Sequence, residues 1–420
     1  MKKSSFSEAK EHVATGYNSP FRSFNLVGGE PIFMKSGKGS KIKDINDKEY
    51  IDYSLAWGPL ILGHTNKKVS SVIKKVSSNG WCLGTPTEYE TEFAKLIKKF
   101  FPSMERIRLT NSGTEAIMGA IRIARGYKNK EKIVIFKGNY HGHSNDTLVK
   151  SETELSSSGV PRNILSTTLI ADYNSIVSVE SLLKQNQDIA GVLIEPIPTN
   201  MGLILPKNNF LKDLRTICDK YNCLLIFDEV VSGFRASSGG AQQLYNITPD
   251  ITVLGKALAG GLPVGAFGGK KEIMDKLSPD GEVYTAGTFS GNPMTVLCGI
   301  ETLKILYDGK LYEQTKNKTQ ILCNSLIKFI KINNLPVNVN YLGSMFSIFF
   351  TTQKDLTNLS DVSKCDFKTF AEYFNYLLKN GIYLSPSGED TSFLSMAHSD
   401  KDVEYTSKII IEFLTKKYLK

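Results

Sequence analysis

The 420-residue chain is poor in cysteine and arginine and has no long apolar run, and each shortage excludes a class of protein. Its six cysteines are scattered and none forms a CxxC pair, which is typical of reduced core thiols rather than of a disulfide scaffold. No run of about 18 apolar residues occurs, so no membrane span is expected. The first eight residues carry charge but no apolar segment. We therefore expect no signal peptide and predict a cytoplasmic protein.

Charge gives little indication of a polyanionic partner. Lys and Arg number 51 against 42 Asp and Glu, for a net charge of +9, but only eight of the basic residues are arginines. The lysines are dispersed in ones and twos, which is typical of a solvated surface, so neither nucleic acid nor membrane is a predicted partner. The hydrophobic fraction of 41% and the charged fraction of 22% are those of an ordinary globular protein.

Short apolar strands alternate with helical patterns through the middle of the chain. The clearest strands are Lys132–Phe136, Gly191–Ile194, Cys223–Phe227 and Ile251–Leu254. Near-continuous apolar strands separated by helices predict an α/β fold with a buried, mostly parallel sheet. We expect three segments: a strand-rich lead-in over 1–64, the α/β body over 65–310, and an α+β tail over 311–420. A capping box at Ser399–Asp402 is predicted to begin the last helix.

Ligands of such sheets bind at the carboxyl ends of the strands, so the residues just past each strand are the candidates. After Arg106–Leu109, a turn bearing Ser112 and Thr114 precedes a helix, which favours either a phosphate cradle or simple N-capping. Asp228 ends an apolar strand, where a buried carboxylate needs a cation or a strong hydrogen-bond donor beside it. Such a carboxylate binds a cofactor, caps a helix or forms a structural ion pair. Lys256 is the only charge in Ile251–Val264, so it either extends to water or is a lysine made nucleophilic by desolvation.

Two further strand ends carry polar or aromatic groups. Tyr140 lies among glycines after Phe136, where its ring is suited to stack on a planar ligand. His141 and His143 follow it, but no third ligand stands at a useful spacing, so no metal site is expected. Glu195 follows the strand that ends at Ile194. One sheet thus carries a phosphate cradle, an aromatic platform, a buried carboxylate and a buried lysine. Together they fit the cofactor pyridoxal 5′-phosphate (PLP) and its aminated form, pyridoxamine phosphate (PMP).

At these residues the sequence resembles the class III aminotransferases of fold type I. The signature runs from Asp228-Glu229-Val230 through Gly233-Phe234-Arg235 to the stretch Gly255–Gly265. The resemblance implies the PLP-dependent transferase fold of type I. In that fold a large domain holds a mostly parallel, seven-stranded sheet, and a small α+β domain is built from both chain ends.

The resemblance also implies roles for single residues. Lys256 would be the Schiff-base lysine and Asp228 the partner of the pyridine nitrogen, and these two are the catalytic candidates. Ser112, Gly113 and Thr114 would bind the phosphate, with Tyr140 stacked on one ring face and Val230 packed on the other. Thr288 would add a phosphate contact from a neighbouring subunit, which implies a homodimer with its active site at the subunit interface.

Within the family the chain is similar over nearly its whole length to the glutamate-1-semialdehyde 2,1-aminomutases. This likeness implies conversion of glutamate-1-semialdehyde to 5-aminolevulinate, a step of porphyrin biosynthesis. It is carried by Asn18–Arg22, Trp57–Pro59, Gly84–Glu88, Thr288–Pro293 and neighbouring motifs. By this likeness the residues that face the substrate would be Ser19, Arg22, Trp57, Glu195 and Asp390.

The chain departs from that subfamily at the segment after the His-Gly-His motif. Here the gating segment Leu148–Pro161 is shorter and more acidic, and Asp390 stands where the aminomutases carry a Glu. Asn139 and Thr199 replace other small residues. These departures leave open a class III aminotransferase acting on a different aldehyde or keto substrate. A catalytically inactive scaffold is a third reading, which the intact Lys256 and Asp228 oppose.

Overall fold

The computed structural model describes residues 5–151, 154–207 and 209–419. Met1–Ser4 of the N-terminal segment and Glu152 and Thr153 of the gating segment lie outside the described residues. The strands are β1 Met34–Lys38, β2 Lys41–Asp44, β3 Glu49–Asp52, β4 Arg106–Thr110, β5 Lys132–Phe136, β6 Thr168–Ala171, β7 Ile189–Ile194, β8 Leu224–Asp228, β9 Ile251–Leu254, β10 Gly265–Gly269, β11 Val337–Leu342, β12 Met345–Phe350, β13 Ile382–Tyr383 and β14 Ser392–Phe393.

The helices lie between and after these strands. They are α1 Ser5–His12, α2 Lys67–Val76, α3 Glu88–Phe100, α4 Gly113–Lys128, α5 Ile164–Thr167, α6 Ile176–Gln185, α7 Phe210–Lys220, α8 Gly240–Tyr245, α9 Lys271–Met274, α10 Pro293–Tyr307, α11 Lys310–Ile332, α12 Leu359–Val362, α13 Phe367–Lys379 and α14 Asp400–Tyr418. Short 3₁₀ turns are formed by Ala14–Gly16, Pro20–Arg22, Asn145–Thr147 and Lys256–Ala259. None of the described helices combines the length and apolar character that a membrane span requires.

The chain divides into two compact units. Unit 1 contains the residues up to Asn66, Glu313–Leu356 and those from Ser360 onward, and unit 2 contains Lys67–Tyr312 with Thr357–Leu359. Unit 1 therefore draws on both ends of the chain. The boundaries that the sequence suggested, after residues 64 and 310, lie beside these divisions.

Unit 2 is built on a seven-stranded sheet of order β4-β10-β9-β8-β7-β5-β6. The neighbours from β9 to β6 run parallel, whereas β10 is antiparallel to both β9 and β4. The predicted α/β fold with a mostly parallel sheet is therefore confirmed. Because β4 is antiparallel to a strand that is itself antiparallel to β9, β4 points the same way as β9. The carboxyl ends of β4, β5, β7, β8 and β9 consequently lie along one edge.

Helix α4 packs across this sheet and explains how unit 2 buries its core. Its apolar face, which includes Ile117, Ala120, Ile121 and Ala124, contacts Ile226, Val253 and Phe267 of the strands, and all of these side chains are buried. Burial of such side chains contributes about 1.5–3 kcal/mol each before entropy is counted. The packing fixes the N-terminus of α4 against the edge where the strands end.

Unit 1 holds two small sheets around a separate aromatic core. The sheet orders are β1-β2-β3-β13 and β11-β12-β14. The core includes Phe24, Tyr53, Phe346 and Phe413. Helix α14 begins at the predicted capping box, because the Ser399 hydroxyl accepts from the Asp402 N–H and the Asp402 carboxylate accepts from the Ser399 N–H.

Candidate active site

A cavity of about 160 Å³ lies at the carboxyl edge of the unit 2 sheet. Each of five strand ends contributes to its lining, as their shared direction requires. The lining residues are Ser112, Gly113, Thr114, Ile117, Tyr140, His141, Gly142, Glu195, Asn200, Asp228, Val230, Val231 and Lys256. Eight of the residues predicted from sequence are thus brought together in one cavity.

Asp228 is buried at the end of β8, and a histidine meets it. Its Oδ2 lies 2.7 Å from Nδ1 of His141, and its Oδ1 accepts from the Val230 N–H at 3.0 Å. A carboxylate only accepts, so the His141 proton is placed on Nδ1. Asp228 is therefore hydrogen-bonded to His141, and each carboxylate oxygen keeps a further lone pair for a ligand.

His141 lines the cavity and contacts Asp228, and sequence reasoning did not assign it to the site. It was considered only as a metal ligand, and no group of His, Cys, Asp or Glu suited to a metal occurs among residues 5–151, 154–207 and 209–419. Its side chain is buried, and within the same residues Nε2 has no hydrogen-bond partner. The available signal was its position beside Tyr140 at a strand end, but its partner lies 87 residues away along the chain.

The N-terminus of α4 forms the polar end of the cavity. The Ser112 hydroxyl accepts from the Glu115 N–H at 3.2 Å, so Ser112 caps the N-terminus of α4. The remaining N–H groups of the first turn lie at a helix N-terminus, where a negative charge is stabilised, and Thr114 also lines the cavity. A Cβ at Gly113 would lie 3.2 Å from both Val230 methyl groups, so the glycine lets Val230 pack tightly against this turn.

Lys256 follows β9 in a strained backbone conformation. Its φ of 42° is left-handed, which costs a lysine roughly 1–3 kcal/mol and persists only where the surroundings impose it. Ala257, Leu258 and Ala259 behind it are fully buried, so the short 3₁₀ turn cannot rotate freely. This packing fixes the backbone of Lys256, which lines the cavity.

Glu195 hydrogen-bonds to two segments at the cavity, one at Tyr140 and one at Thr199 and Asn200. Its Oε1 accepts from the Tyr140 N–H at 2.7 Å and from the Asn200 amide at 3.1 Å, while Oε2 accepts from the Thr199 N–H at 3.2 Å. Burial, with the nearby negative charge of Asp228, raises the pKa of Glu195. The carboxylate thereby fixes the backbone of Tyr140, whose ring lines the cavity.

The two small-residue departures noted in the sequence both contact Glu195. The Asn139 amide oxygen accepts from the Glu195 N–H at 2.9 Å, and the Thr199 hydroxyl lies 3.3 Å from Glu195 Oε2. Their side chains add hydrogen bonds to the same network. Neither contact involves Lys256 or Asp228.

Four predicted substrate-facing residues belong to unit 1. Ser19 precedes the 3₁₀ turn Pro20–Arg22, and Arg22 is exposed. The Trp57 indole N–H donates to Asp390 Oδ2 at 3.0 Å. The backbone at Leu55, Ala56 and Trp57 is left-handed with φ values of 46°, 55° and 62°, a strained turn of the kind found at functional sites.

Thr288 and the gating segment complete the predicted set. Thr288 is exposed in unit 2 and does not line the cavity. In the predicted gating segment, Val149 pairs with Leu155, and Val149 and Val160 are buried. Thr288 is thus available for a contact with another molecule, and part of the gating segment is anchored to the core.

Comparison with known proteins places this arrangement in context. The family Aminotransferase class-III matches residues 26–410. The chain is 47% identical to the glutamate-1-semialdehyde 2,1-aminomutase of Legionella pneumophila strain Paris over 96% of this chain and 95% of that protein. It is 48% identical to that of Wigglesworthia glossinidia brevipalpis over 95% and 94%. An omega-transaminase structure from Sphaerobacter thermophilus matches with a TM-score of 0.91 and 29% identity, covering 98% and 96%.

Proposed function

The chain belongs to the class-III aminotransferase family, and we propose that it is a glutamate-1-semialdehyde 2,1-aminomutase. The observation that carries this proposal is the 47–48% identity to aminomutases over nearly the whole chain. The proposed reaction converts glutamate-1-semialdehyde to 5-aminolevulinate by exchanging an amine and an oxo group on neighbouring carbons. It needs no second substrate.

Enzymes of this family are PLP-dependent, and the cavity residues fit that group. Three features support the fit. The N-terminus of α4 is suited to a phosphate, the buried Asp228 carboxylate is hydrogen-bonded to His141, and Lys256 lines the cavity after β9. When bound, PLP supplies an electron sink that stabilises negative charge on a neighbouring carbon. The residues of this chain would bind the cofactor and transfer the protons.

Binding of the cofactor is assigned to five residues of the cavity. Ser112, Gly113 and Thr114 would hold the phosphate through N–H groups and hydroxyls at a helix N-terminus. Tyr140 and Val230 would pack on opposite ring faces. Glu195 supports this arrangement because it holds the Tyr140 backbone at 2.7 Å.

Proton transfer is assigned to Lys256 and Asp228. The Lys256 amine would take a proton from one substrate carbon and return it elsewhere, acting as general base and then as general acid. Asp228 would keep a proton on the pyridine nitrogen, and the hydrogen bond from His141 Nδ1–H orients its carboxylate.

The substrate-facing residues, the oligomer and the location rest on the resemblance and the composition. We propose that Ser19, Arg22, Trp57, Glu195 and Asp390 face the substrate, with the Arg22 guanidinium suited to a carboxylate. We also propose a homodimer in which Thr288 adds a phosphate contact to the neighbouring subunit's site. A cytoplasmic location stays a prediction.

The alternative function is amino transfer to a different aldehyde or keto substrate. The shorter gating segment favours it, because a lid that closes poorly would release the doubly aminated intermediate before the second half-reaction. Asp390 in place of Glu also favours it through its shorter reach. The solved omega-transaminase, at 29% identity, has the same fold.

The deciding experiment is product formation from glutamate-1-semialdehyde by the PMP-loaded protein with no other amine donor. Catalytic appearance of 5-aminolevulinate supports the aminomutase. A yellow protein that exchanges amines with other substrates but makes no 5-aminolevulinate supports the alternative. A protein that does not turn yellow with PLP supports an inactive scaffold.

Replacement of Lys256 tests the assigned chemistry. We expect Lys256→Ala to abolish turnover while leaving the circular dichroism spectrum unchanged, because the lysine makes no part of the core. Lys276→Ala, at an exposed lysine of unit 2, is the control and should keep wild-type turnover. Retained turnover by Lys256→Ala would contradict the mechanism.

A further inference from the structure

A second cleft of about 200 Å³ lies in unit 2 away from the residues of the candidate active site. Its lining includes two cysteines, three basic residues and three acidic residues: Cys218, Cys223, Lys128, Arg215, Lys270, Asp219, Asp250 and Glu272. None of the proposed roles in amino transfer uses these residues. Cys218 and Cys223 are buried, and both line the cleft.

The turn that ends α7 brings the two cysteines together. The Cys223 N–H donates to the Cys218 carbonyl at 3.0 Å, and the Asn222 N–H donates to the Asp219 carbonyl at 3.2 Å. Asn222 is left-handed, with φ of 50°. These three features define a Schellman motif, in which the side chains at the first and last of these positions contact each other. Here both positions are cysteines.

The two sulfurs interact directly and lie among cations. The Cys223 thiol donates to the Cys218 carbonyl, with 3.7 Å between the sulfur and the oxygen. The contact with Cys218, with the charges of Lys130 and Arg215 acting against burial, holds the pKa of Cys223 below its ordinary value. The same contact and burial raise the pKa of Cys218. Lys128 is fixed nearby, because its Nζ lies 2.7 Å from Asn222 Oδ1. A thiolate stabilised in this way is a nucleophile, and the other thiol stands ready to resolve it.

We propose that Cys218 and Cys223 are a peroxide-sensitive thiol pair that is oxidised reversibly to an intramolecular disulfide. The Cys223 thiolate attacks one oxygen of hydrogen peroxide, so an S–O bond forms, the O–O bond breaks and hydroxide leaves. The hydroxide takes the proton of the Cys218 thiol as water. The Cys218 sulfur then attacks the Cys223 sulfur, so the S–S bond forms, the S–O bond breaks and a second hydroxide leaves and is protonated by solvent. Two thiols and one peroxide become one disulfide and two waters, and a thiol reductant reverses the change.

The test is peptide mapping of the PLP-loaded protein after mild peroxide treatment and blocking of free thiols. Trypsin cleaves after Arg215, Lys220 and Arg235, so the two cysteines fall in separate peptides, 216–220 and 221–235. The expected product is a linked pair of these peptides whose mass is two hydrogens below their sum. Dithiothreitol should release both peptides.

Variants separate this reaction from general oxidation. The background carries Cys82→Ser, because Cys82 is exposed. Cys218→Ser should leave a sulfenic acid on Cys223 that dimedone traps, and Cys223→Ser should abolish the linked peptides. Cys298→Ser, which removes a buried thiol elsewhere, should leave them unchanged. The proposal is overturned if the wild-type chain keeps both thiols reduced at peroxide levels that oxidise Cys82.

Discussion

At the scale of single residues, the buried Asp228 carboxylate depends on His141 for a hydrogen bond. The 2.7 Å contact between His141 Nδ1 and Asp228 Oδ2 is a hydrogen bond to a charged group in a buried setting. Such bonds are worth about 1.5–3 kcal/mol, and removal of one partner leaves the other with its desolvation cost. The Asp228 carboxylate is therefore held by a residue that the sequence motif does not identify as catalytic.

Replacement of His141 should slow the reaction without removing the cofactor. We expect His141→Ala to lower kcat by about 10- to 100-fold, since roughly 1.4 kcal/mol of lost support corresponds to one tenfold change. The absorbance of the bound cofactor, recorded with the kinetics, should also shift because its nitrogen partner has changed. His12→Ala is the control, since His12 is an exposed histidine of α1 and does not line the cavity. An unchanged kcat in His141→Ala would remove the role assigned to this histidine.

At the scale of elements, Asp250, which precedes β9, links helix α7, strand β8 and the residue after β10. Its Oδ2 lies 2.8 Å from Arg215 of α7 and accepts from the Leu225 N–H of β8, and its Oδ1 lies 2.8 Å from Lys270 after β10. Burial alone would raise its pKa, but the hydrogen bond from Lys270 and the charge of Arg215 hold the pKa of Asp250 below its ordinary value. The folded protein thus prefers the charged carboxylate.

This preference predicts a pH-dependent stability. A carboxyl whose pKa is lower in the folded chain stabilises the fold above its unfolded pKa of about 3.9, and the contribution is lost as the pH falls through the folded value. Asp250→Asn should therefore lower the free energy of unfolding by about 1–3 kcal/mol at neutral pH. The difference from wild type should shrink once the pH is well below about 4.

Urea unfolding followed by circular dichroism at neutral and acidic pH measures this difference. Asp280→Asn is the control, because Asp280 is an exposed acid of unit 2 and its replacement should leave the urea midpoint unchanged at both pH values. A constant gap between wild type and Asp250→Asn across the pH range would contradict the assigned charge preference.

The elements that sequence predicted best are those with one dominant signal. Lys132–Phe136 and Ile251–Leu254 are continuous apolar runs, and both form strands with the predicted bounds. Strand β10, Gly265–Gly269, was not predicted, because glycines disfavour strands in isolation. Its position is set by close backbone packing, since a Cβ on Gly268 or Gly269 would collide with a neighbouring strand.

The same contrast applies to the site. The direction of parallel strands let the sequence place Ser112, Tyr140, Asp228 and Lys256 at one edge, and all four line one cavity. The pairing of His141 with Asp228 was not predictable, because it depends on side-chain directions between two different loops. The close approach of Cys218 and Cys223 depends in the same way on the left-handed turn at Asn222.

At the scale of the whole molecule, the exposed position of Thr288 bears on the proposed dimer. Thr288 is absent from the lining of the cavity, and its neighbours Tyr284 and Phe289 are 67% and 61% exposed. Exposed aromatic side chains are typical of surfaces that bind another protein chain. A second copy that covers this loop would bury them and bring Thr288 to the partner's site. Light scattering should accordingly report a dimer.

A dimer with shared sites predicts that two impaired chains restore each other. In a hybrid of one Lys256→Ala chain and one Thr288→Ala chain, one site has neither group, and the other has both if Thr288 serves the neighbouring subunit. Co-expressed chains purified through two different tags should therefore be more active than either variant homodimer, approaching half the wild-type activity per dimer, about one working site of two. If Thr288 serves its own subunit, the one site that keeps Lys256 still lacks Thr288. The hybrid would then never exceed the average of the two variant homodimers, which would exclude the shared site.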